Sequence, residues 1–482
     1  MSDYKHQQLL SEHAKSRKLK HFWSQVTLPD GMTPHPEPIQ LVGGIPNHEF
    51  FPVNKIDIHL SNKPFREKED VLSSTTFSIP QVSDSPNDEI DIKNGLQYSE
   101  VNGLKPLLEF TKEFTKKVHT PGYQAWETTL TCGGANGIDK AFDAFLNPGD
   151  TVLIEEFTFT PMIGSINNLK ATPIPIKLSF SSESKSLSYV DELRTMLEEW
   201  ETRYPNLRRP KCLYTIPSGH NPIGLAQSWE HKCEIYKLAQ EFNFIIIEDD
   251  PYVYLSFQPI EEKPKFDLTI DEFINTLSKS FLRIDVDGRV IRVETFSKVF
   301  APGLRLGFLI GHQTVINIIN NYSMISTRSP NGLSQMFVNN TILKLGGLNG
   351  WLSWVLKVRN EYLKRKNYFI TNLMDTKAYK DGLISILDPN CGMFVCILIN
   401  FKPDQDVESL MEEFKLKCLI HGIGVVFGGN MSVDFEFSKD RSNFVRTAIC
   451  YTENLQILKE AGERLSNAVV DLFKSIELVT VL

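Results

Sequence analysis

Between Trp126 and Gly311 the chain alternates short apolar runs with segments of helical spacing, and this rhythm restricts the fold more than any other feature. "WETTLT" reads as a strand, "CGGANG" as a turn, "IDKAFDAFL" as a helix stopped by "NPGD", and "TVLIEE" as the next strand. "TPIPIKL", "CLYTI", "FNFIIIE", "VIRVETF" and "RLGFLIG" follow, with helical patterns such as "SWEHKCEIYKLAQEFN" between some of them. Runs of Ile, Val and Leu without polar alternation suit a sheet covered on both faces. Such sheets are mostly parallel, because crossover helices supply the cover. Residues 258–289 break the rhythm and read as an excursion carrying one helix.

Near residue 350 the pattern changes. "GWLSWVLKVRNEYLKRKNYFITNLM" predicts a long helix, followed by the short strands "LISIL", "MFVCILIN", "IGVVFG" and "VRTAIC" around a helix at 407–421. From Asn454 a last helix places Leu458, Ala461, Leu465, Ala468 and Leu472 on one stripe. The expected division is an N-terminal arm with a short helix over 1–40, a large α/β domain over 41–345 and a smaller α+β domain over 346–482. Polar residues 73–95 read as a surface excursion. Lys15, Arg17, Lys18 and Lys20 read as a solvated or partner-facing helix end.

The 482 residues carry a net charge of −8, which gives no basic face for nucleic acid. No apolar run reaches the roughly 18 residues of a membrane span. The seven cysteines include no CxxC pair, so no metal site is predicted, and a reducing, cytoplasmic setting fits.

In open α/β sheets ligands bind at the carboxyl ends of the strands, so the residues after each strand are the candidates. Gly133-Gly134-Ala135 opens a helix whose free N–H groups suit an anion. Asn221 lies among turn-formers, with His220 beside it expected to be a satisfied bystander. Asp249 and Tyr252 follow "FNFIII", and a carboxylate there needs a cationic partner. Lys298 follows "VIRVETFS", and Arg305 lies seven residues on. A lysine at a buried strand end can serve as a Schiff-base amine if desolvation lowers its pKa. Each signal alone is more often a tight turn, an Asx turn, a cap or a snorkelling lysine. Together they match one ligand: a phosphate for the glycine turn and Arg305, a pyridine nitrogen for Asp249, a phenolic oxygen for Asn221 and Tyr252, an aldehyde for Lys298. That ligand is pyridoxal 5'-phosphate.

The order of these motifs resembles the fold type I aminotransferases from "LVGGIPNHEFFP" to the last helix. "IEEFTFTP", "EDDPY" and "ETFSKVFAPGLRL" resemble the fungal aromatic amino acid aminotransferases, and kynurenine/2-aminoadipate aminotransferases share the skeleton. The resemblance implies a mostly parallel seven-stranded sheet in the large domain. It implies that Lys298 forms the Schiff base and shuttles the proton, with Asp249 on the ring nitrogen and Asn221 and Tyr252 on the phenolic oxygen. Phe159 would stack on the ring, where many relatives place a tyrosine. Gly134 and Ala135 would offer backbone N–H groups to the phosphate where several relatives use side chains, so Thr295, Arg305 and Tyr98 would matter more. Tyr98 would reach across a homodimer with shared active sites. Arg446 would bind the substrate carboxylate, although strand alternation alone points it to water. Gly43 and Gly44 would line the substrate mouth, and Arg328 is a candidate for the side-chain pocket. The substrates implied are an aromatic amino acid and a 2-oxo acid. Rival readings are a β-lyase or decarboxylase on the same fold, a regulator and an inactive scaffold. The joint presence of Lys298, Asp249, Asn221, Tyr252, Arg305 and Arg446 argues against the scaffold, and ~40 preceding residues are few for a DNA-binding module.

Overall fold

The structure, a computed structural model, describes residues 4–19, 28–39, 41, 43–64 and 75–481. Near the N-terminus, β1 (Lys55–Leu60) and β2 (Thr75–Pro80) pair antiparallel as a two-stranded ribbon. The large sheet contains β3 (Trp126–Thr131), β4 (Thr151–Glu155), β5 (Thr172–Ile176), β6 (Cys212–Thr215), β7 (Ile245–Asp249), β8 (Val290–Thr295) and β9 (Gly307–His312). Their spatial order is β3-β9-β8-β7-β6-β4-β5. The expected α/β fold with a mostly parallel seven-stranded sheet is therefore present. β9 alone runs against its neighbours. Its link from β8 spans residues 296–306, shorter than the dozen or more that a parallel crossover needs.

Every residue of β4, β6, β7 and β9 is buried, as unalternated apolar runs require. Helix α1 (Gly134–Phe145) covers one face. Its Phe142 ring lies 6.0 Å from Tyr214 of β6.

A second apolar core surrounds a four-stranded antiparallel sheet of β10 (Ile384–Leu387), β11 (Phe394–Ile399), β12 (Val426–Phe427) and β13 (Phe444–Ala448), in the order β10-β11-β13-β12. Helix α2 (Gly347–Met374) contributes to both cores. Its buried cations hold loops from each side. Arg359 donates to the carbonyls of Ser256 and Lys265, both at 2.8 Å, and Lys366 Nζ lies 2.7 Å from Asp388. Arg365 Nε donates to Ile449 O at 2.5 Å, fixing the chain just beyond β13. The stripe expected on the last helix, α3 (Leu455–Val481), packs into this core through Leu458, Leu465, Ala468 and Leu472, with Ala461 half-buried.

Two expectations need correction. Residues 75–95 are not a surface excursion: β2 is in the ribbon, and Ile79, Ile90 and Ile92 are buried. Asn340 holds this segment by accepting from Ile90 N and donating to Ile90 O. Isolated isoleucines in a polar stretch mark core contacts that average composition hides. Arg17 is not solvated either. It donates to Asp143 at 2.8 Å, and its guanidinium lies 4.6 Å from the Tyr322 ring centroid. Lys20, from the same cluster, lies outside the described residues.

Behind the carboxyl ends of β7 and β8 sits a buried charge network. Arg292 Nη1 donates to Asp250 at 2.8 Å and lies 3.0 Å from Glu248, while its Nε donates to Glu294 at 2.8 Å. Arg292, Glu248 and Asp250 are fully buried and Glu294 nearly so. Removing one member of such a group leaves dry, unpaired charge. Arg292→Met is therefore expected to cost about 3–5 kcal/mol of stability in urea unfolding. Adding Glu248→Gln, Asp250→Asn and Glu294→Gln should recover part of that loss.

Candidate active site

Period-two alternation sorts the three carboxylates at the end of β7. Glu248 and Asp250 point to the face that Arg292 occupies. Asp249 points to the opposite face, where α1 begins. The parallel register pairs Tyr214 with Ile247 and Val293 with Asp249, so Tyr214, Asp249, Val293 and Thr295 share that face.

There a cavity of about 170 Å³ opens. Gly134, Ala135, Phe159, Asn221, Asp249, Tyr252, Thr295, Lys298 and Arg305 all line it. A larger cleft of about 510 Å³ lies beside the second core, lined by Ile423, Val425, Tyr451 and Leu458 among others. It contains no such set of reacting groups, so chemistry rather than size selects the site.

The phosphate end is shaped by backbone. Gly133 caps α1 with φ of 89°, and a side chain there would meet Arg305 Nη2 at 3.0 Å. The position therefore favours glycine. Arg305 itself has φ of 49°, an uncommon conformation for a residue with a side chain, which sets its guanidinium against the start of α1. Thr295 donates to Ser297 Oγ at 2.8 Å and accepts from Ser297 N at 3.2 Å.

At the other end burial dominates. It lowers the pKa of Lys298; Cys450 and Asp249 oppose that shift, and Arg446 and Arg305 add to it. Asp249 is raised from 3.8 to about 7, first by burial and then by Asp250, against the hydrogen bond from Tyr214 and the charge of Lys298. Burial and Asp249 raise the Tyr252 phenol. Lys298 Nζ sits 5.8 Å from the Tyr252 ring centroid. From the second sheet Arg446 donates to Asn221 Oδ1 at 2.7 Å, with its guanidinium 4.2 Å from the Phe394 ring centroid. Arg446 thus faces the site and not water, as the motif order implied and alternation did not.

The remaining candidates lie apart within one chain. Tyr98 is 73% exposed, and Gly43 and Gly44 are exposed away from the cavity lining. Arg328 is exposed, with φ of 59° and a 3.3 Å hydrogen bond to Met324 O. His220 is fully buried with Nε2 3.4 Å from Glu155, and neither ring nitrogen makes a hydrogen bond among the described residues. It is a bystander to the cavity, but not a satisfied one. Sequence reasoning missed Tyr214, whose hydroxyl donates to Asp249 Oδ2 at 2.7 Å. The one available signal was a lone phenol inside an otherwise apolar strand.

Residues 72–460 match the sequence model of the aminotransferase class I and II family. The chain belongs to that family. This aminotransferase is 36% identical to aromatic amino acid aminotransferase 2 of Saccharomyces cerevisiae, over 97% of the chain and 96% of that protein. The solved structure of the aromatic aminotransferase Aro9 from C. Albicans matches it with a TM-score of 0.92 at 43% identity, covering 97% of this chain and 98% of that one. Kynurenine/alpha-aminoadipate aminotransferase of Bos taurus is 32% identical over 79% of the chain and 81% of that protein. The family uses pyridoxal phosphate, and the aminotransferase's residues fit that group: free N–H groups and Arg305 for an anion, a buried carboxylate awaiting a cation, and a desolvated amine. Among the described residues no cluster suited to a metal ion occurs and no helix is long and apolar enough to cross a membrane.

Asp249 makes a measurable pH dependence. Between about pH 4 and pH 7 the unfolded carboxyl has lost its proton while the buried one keeps it, so stability falls as pH rises. In cofactor-free protein, Asp249→Asn should leave stability at pH 4 nearly unchanged. At pH 8 it should raise stability by up to about 4 kcal/mol. Urea unfolding at the two pH values checks this, and an equal gain at both would show that Asp249 carries no burial penalty.

Proposed function

We propose that this aminotransferase uses pyridoxal 5'-phosphate to move the amino group of phenylalanine, tyrosine or tryptophan to a 2-oxo acid, either 2-oxoglutarate or an aromatic pyruvate. The observation that carries the reading is the convergence of Lys298, Asp249, Asn221, Tyr252 and Arg305 on one cavity, with Arg446 reaching in from the second sheet. The near-full-length similarity to the S. cerevisiae and C. Albicans aromatic aminotransferases supports the substrate class.

Asp249 would hold the ring nitrogen, Asn221 and Tyr252 the phenolic oxygen, and Thr295, Arg305 and the first turn of α1 the phosphate, with Phe159 against the ring. Held so, the cofactor would supply the electron sink that makes the substrate Cα–H acidic. Arg446 offers a planar fork to the substrate carboxylate, and its bond to Asn221 keeps that fork beside the cofactor residues. Burial favours a neutral amine on Lys298, so Nζ can take the Cα proton, hold it and return it to the cofactor carbon on the far side of the transferred nitrogen. The partly enclosed cavity limits water and so strengthens each of these charge contacts.

The working unit in this reading is a cytoplasmic homodimer. The exposure of Tyr98 and Arg328 in the single chain suits residues that complete a partner's site, with Gly43 and Gly44 at the substrate mouth. The domain divisions near residues 40 and 345 belong to this reading as well; Tyr4, Leu9, Leu10 and Ala14 of the arm pack in the first core, and along α2 the second core takes over between Leu363 and Phe369. The similarity to the Bos taurus enzyme favours kynurenine or 2-aminoadipate as a second substrate reading.

The test is an absorbance spectrum of the reconstituted protein. Phenylalanine should remove the visible band and release phenylpyruvate, and Lys298→Ala should abolish turnover. Double-reciprocal plots should be parallel, since the two substrates react in turn. A band that ignores phenylalanine and responds to kynurenine moves the assignment to the second reading. Arg446→Lys should raise KM for both substrates by roughly 10- to 100-fold, the worth of a charge-assisted fork, while leaving the band intact.

A further inference from the structure

We infer that Tyr214 is a positioning residue for the reaction: its hydroxyl fixes the Asp249 carboxylate so that the oxygen facing the cavity stays ionised and aimed at the cofactor ring nitrogen. The inference rests on the reading that Asp249 faces that nitrogen.

The geometry is specific. Tyr214 is fully buried on β6, next to the central strand β7, and donates to Asp249 Oδ2 at 2.7 Å. Parallel pairing of Tyr214 with Ile247 puts the phenol on the face of Asp249, two residues further along β7. Phe142 packs against the Tyr214 ring, and Phe142 belongs to α1, the helix whose first turn lines the cavity. One helix therefore sets both the anion cup and the phenol that orients the carboxylate.

The charged surroundings make the hydroxyl matter. Asp249 feels the charges of Asp250 across the strand, of Lys298 and of Glu155 besides the hydrogen bond from Tyr214, and burial is the largest influence on it. Burial and Asp250 push the carboxyl toward its neutral form. Tyr214 and Lys298 oppose them. Lys298 is also the amine that reacts, so its charge changes during turnover, whereas burial and the nearby Asp249 hold the Tyr214 phenol protonated. Tyr214 is thus the constant donor to Asp249. Without it, the proton shared between carboxylate and ring nitrogen moves toward the carboxylate.

Tyr214→Phe removes one oxygen and keeps the ring. The holoenzyme is reconstituted with pyridoxal 5'-phosphate labelled with ¹⁵N in the ring, and two quantities are read: the cofactor dissociation constant and the ¹⁵N shift. We expect the dissociation constant to rise roughly 10-fold or more, the worth of one hydrogen bond to a charged group. The ¹⁵N resonance should move toward the unprotonated position. Replacement of Tyr214 by 3,5-difluorotyrosine, which keeps the shape and strengthens the donor, should move the resonance the other way and covers the case in which the phenylalanine variant does not fold. Wild-type affinity and an unmoved ¹⁵N shift in either folded variant overturn the inference. Asp249→Asn serves as the control. If it too leaves affinity and shift unchanged, the placement of Asp249 falls and the inference with it. If only Asp249→Asn has an effect, the cofactor reading stands and Tyr214 is merely packing.

Discussion

At the end of β7 three carboxylates leave the sheet in succession, Glu248, Asp249 and Asp250, and all three are buried. Like charges this close in a dry interior repel strongly. Strand alternation resolves the conflict by sending the outer two to one face, where Arg292 meets both and Glu294 from its own strand. Asp249 is left alone on the other face. It keeps a hydrogen bond from Tyr214 but no cation of its own within the sheet, so its charge is costly until a ligand supplies one. The acidity of the site is thus set by which face a residue takes, with Arg292 stabilising the arrangement from behind.

The same logic governs the lysine. Lys298 lies where β8 ends, and burial disfavours its ammonium form. Asp249 and Lys298 therefore both lean toward neutrality, and each restores some charge to the other. A cationic ring nitrogen and a carbonyl together relieve both groups at once. Such a ligand binds the folded chain and not the unfolded one, so it stabilises the fold as it occupies the site. Activity and cofactor-linked stability have one source here, the desolvation of two strand ends.

Much of this was legible in the sequence because the fold puts ligand groups after strands. Gly134, Asn221, Asp249 and Lys298 each follow an apolar run, and parallel strands side by side bring such positions together whatever the details of packing. Arg446 was less legible. Its strand β13 pairs with both β11 and β12, and one face of that small sheet turns toward Asn221, which alternation within five residues could not show. The link from Tyr214 to Asp249 was hidden for a related reason: it depends on the register of two strands about 30 residues apart, and the lone phenol in β6 was its one sign. The buried isoleucines at 79, 90 and 92 were hidden among polar neighbours, and the backbone of Ile90 is held by Asn340, 250 residues away. Tyr98 and Arg328 belong to a different category, since a single chain leaves both exposed and brings neither to the cavity.

One hydrogen bond at the cavity joins the two sheets of the chain. Asn221 belongs to the loop after β6, and Arg446 to the second sheet, yet a 2.7 Å hydrogen bond connects them. Arg365 of α2 pins the carbonyl of Ile449, three residues past Arg446, while Arg359 of the same helix holds the carbonyl of Ser256 and Lys366 pairs with Asp388 just after β10. The position of Arg446 relative to Lys298 is therefore influenced by a single helix that enters both cores. The same helix also holds the loop that carries Lys298, because Trp354 Nε1 donates to Val299 O at 2.9 Å, so a shift of α2 would be felt on both sides of the site. Asp249 and Lys298 lie at the ends of strands of one sheet and Arg446 lies on another, and the bond from Arg446 to Asn221 is what ties the two together at the cavity.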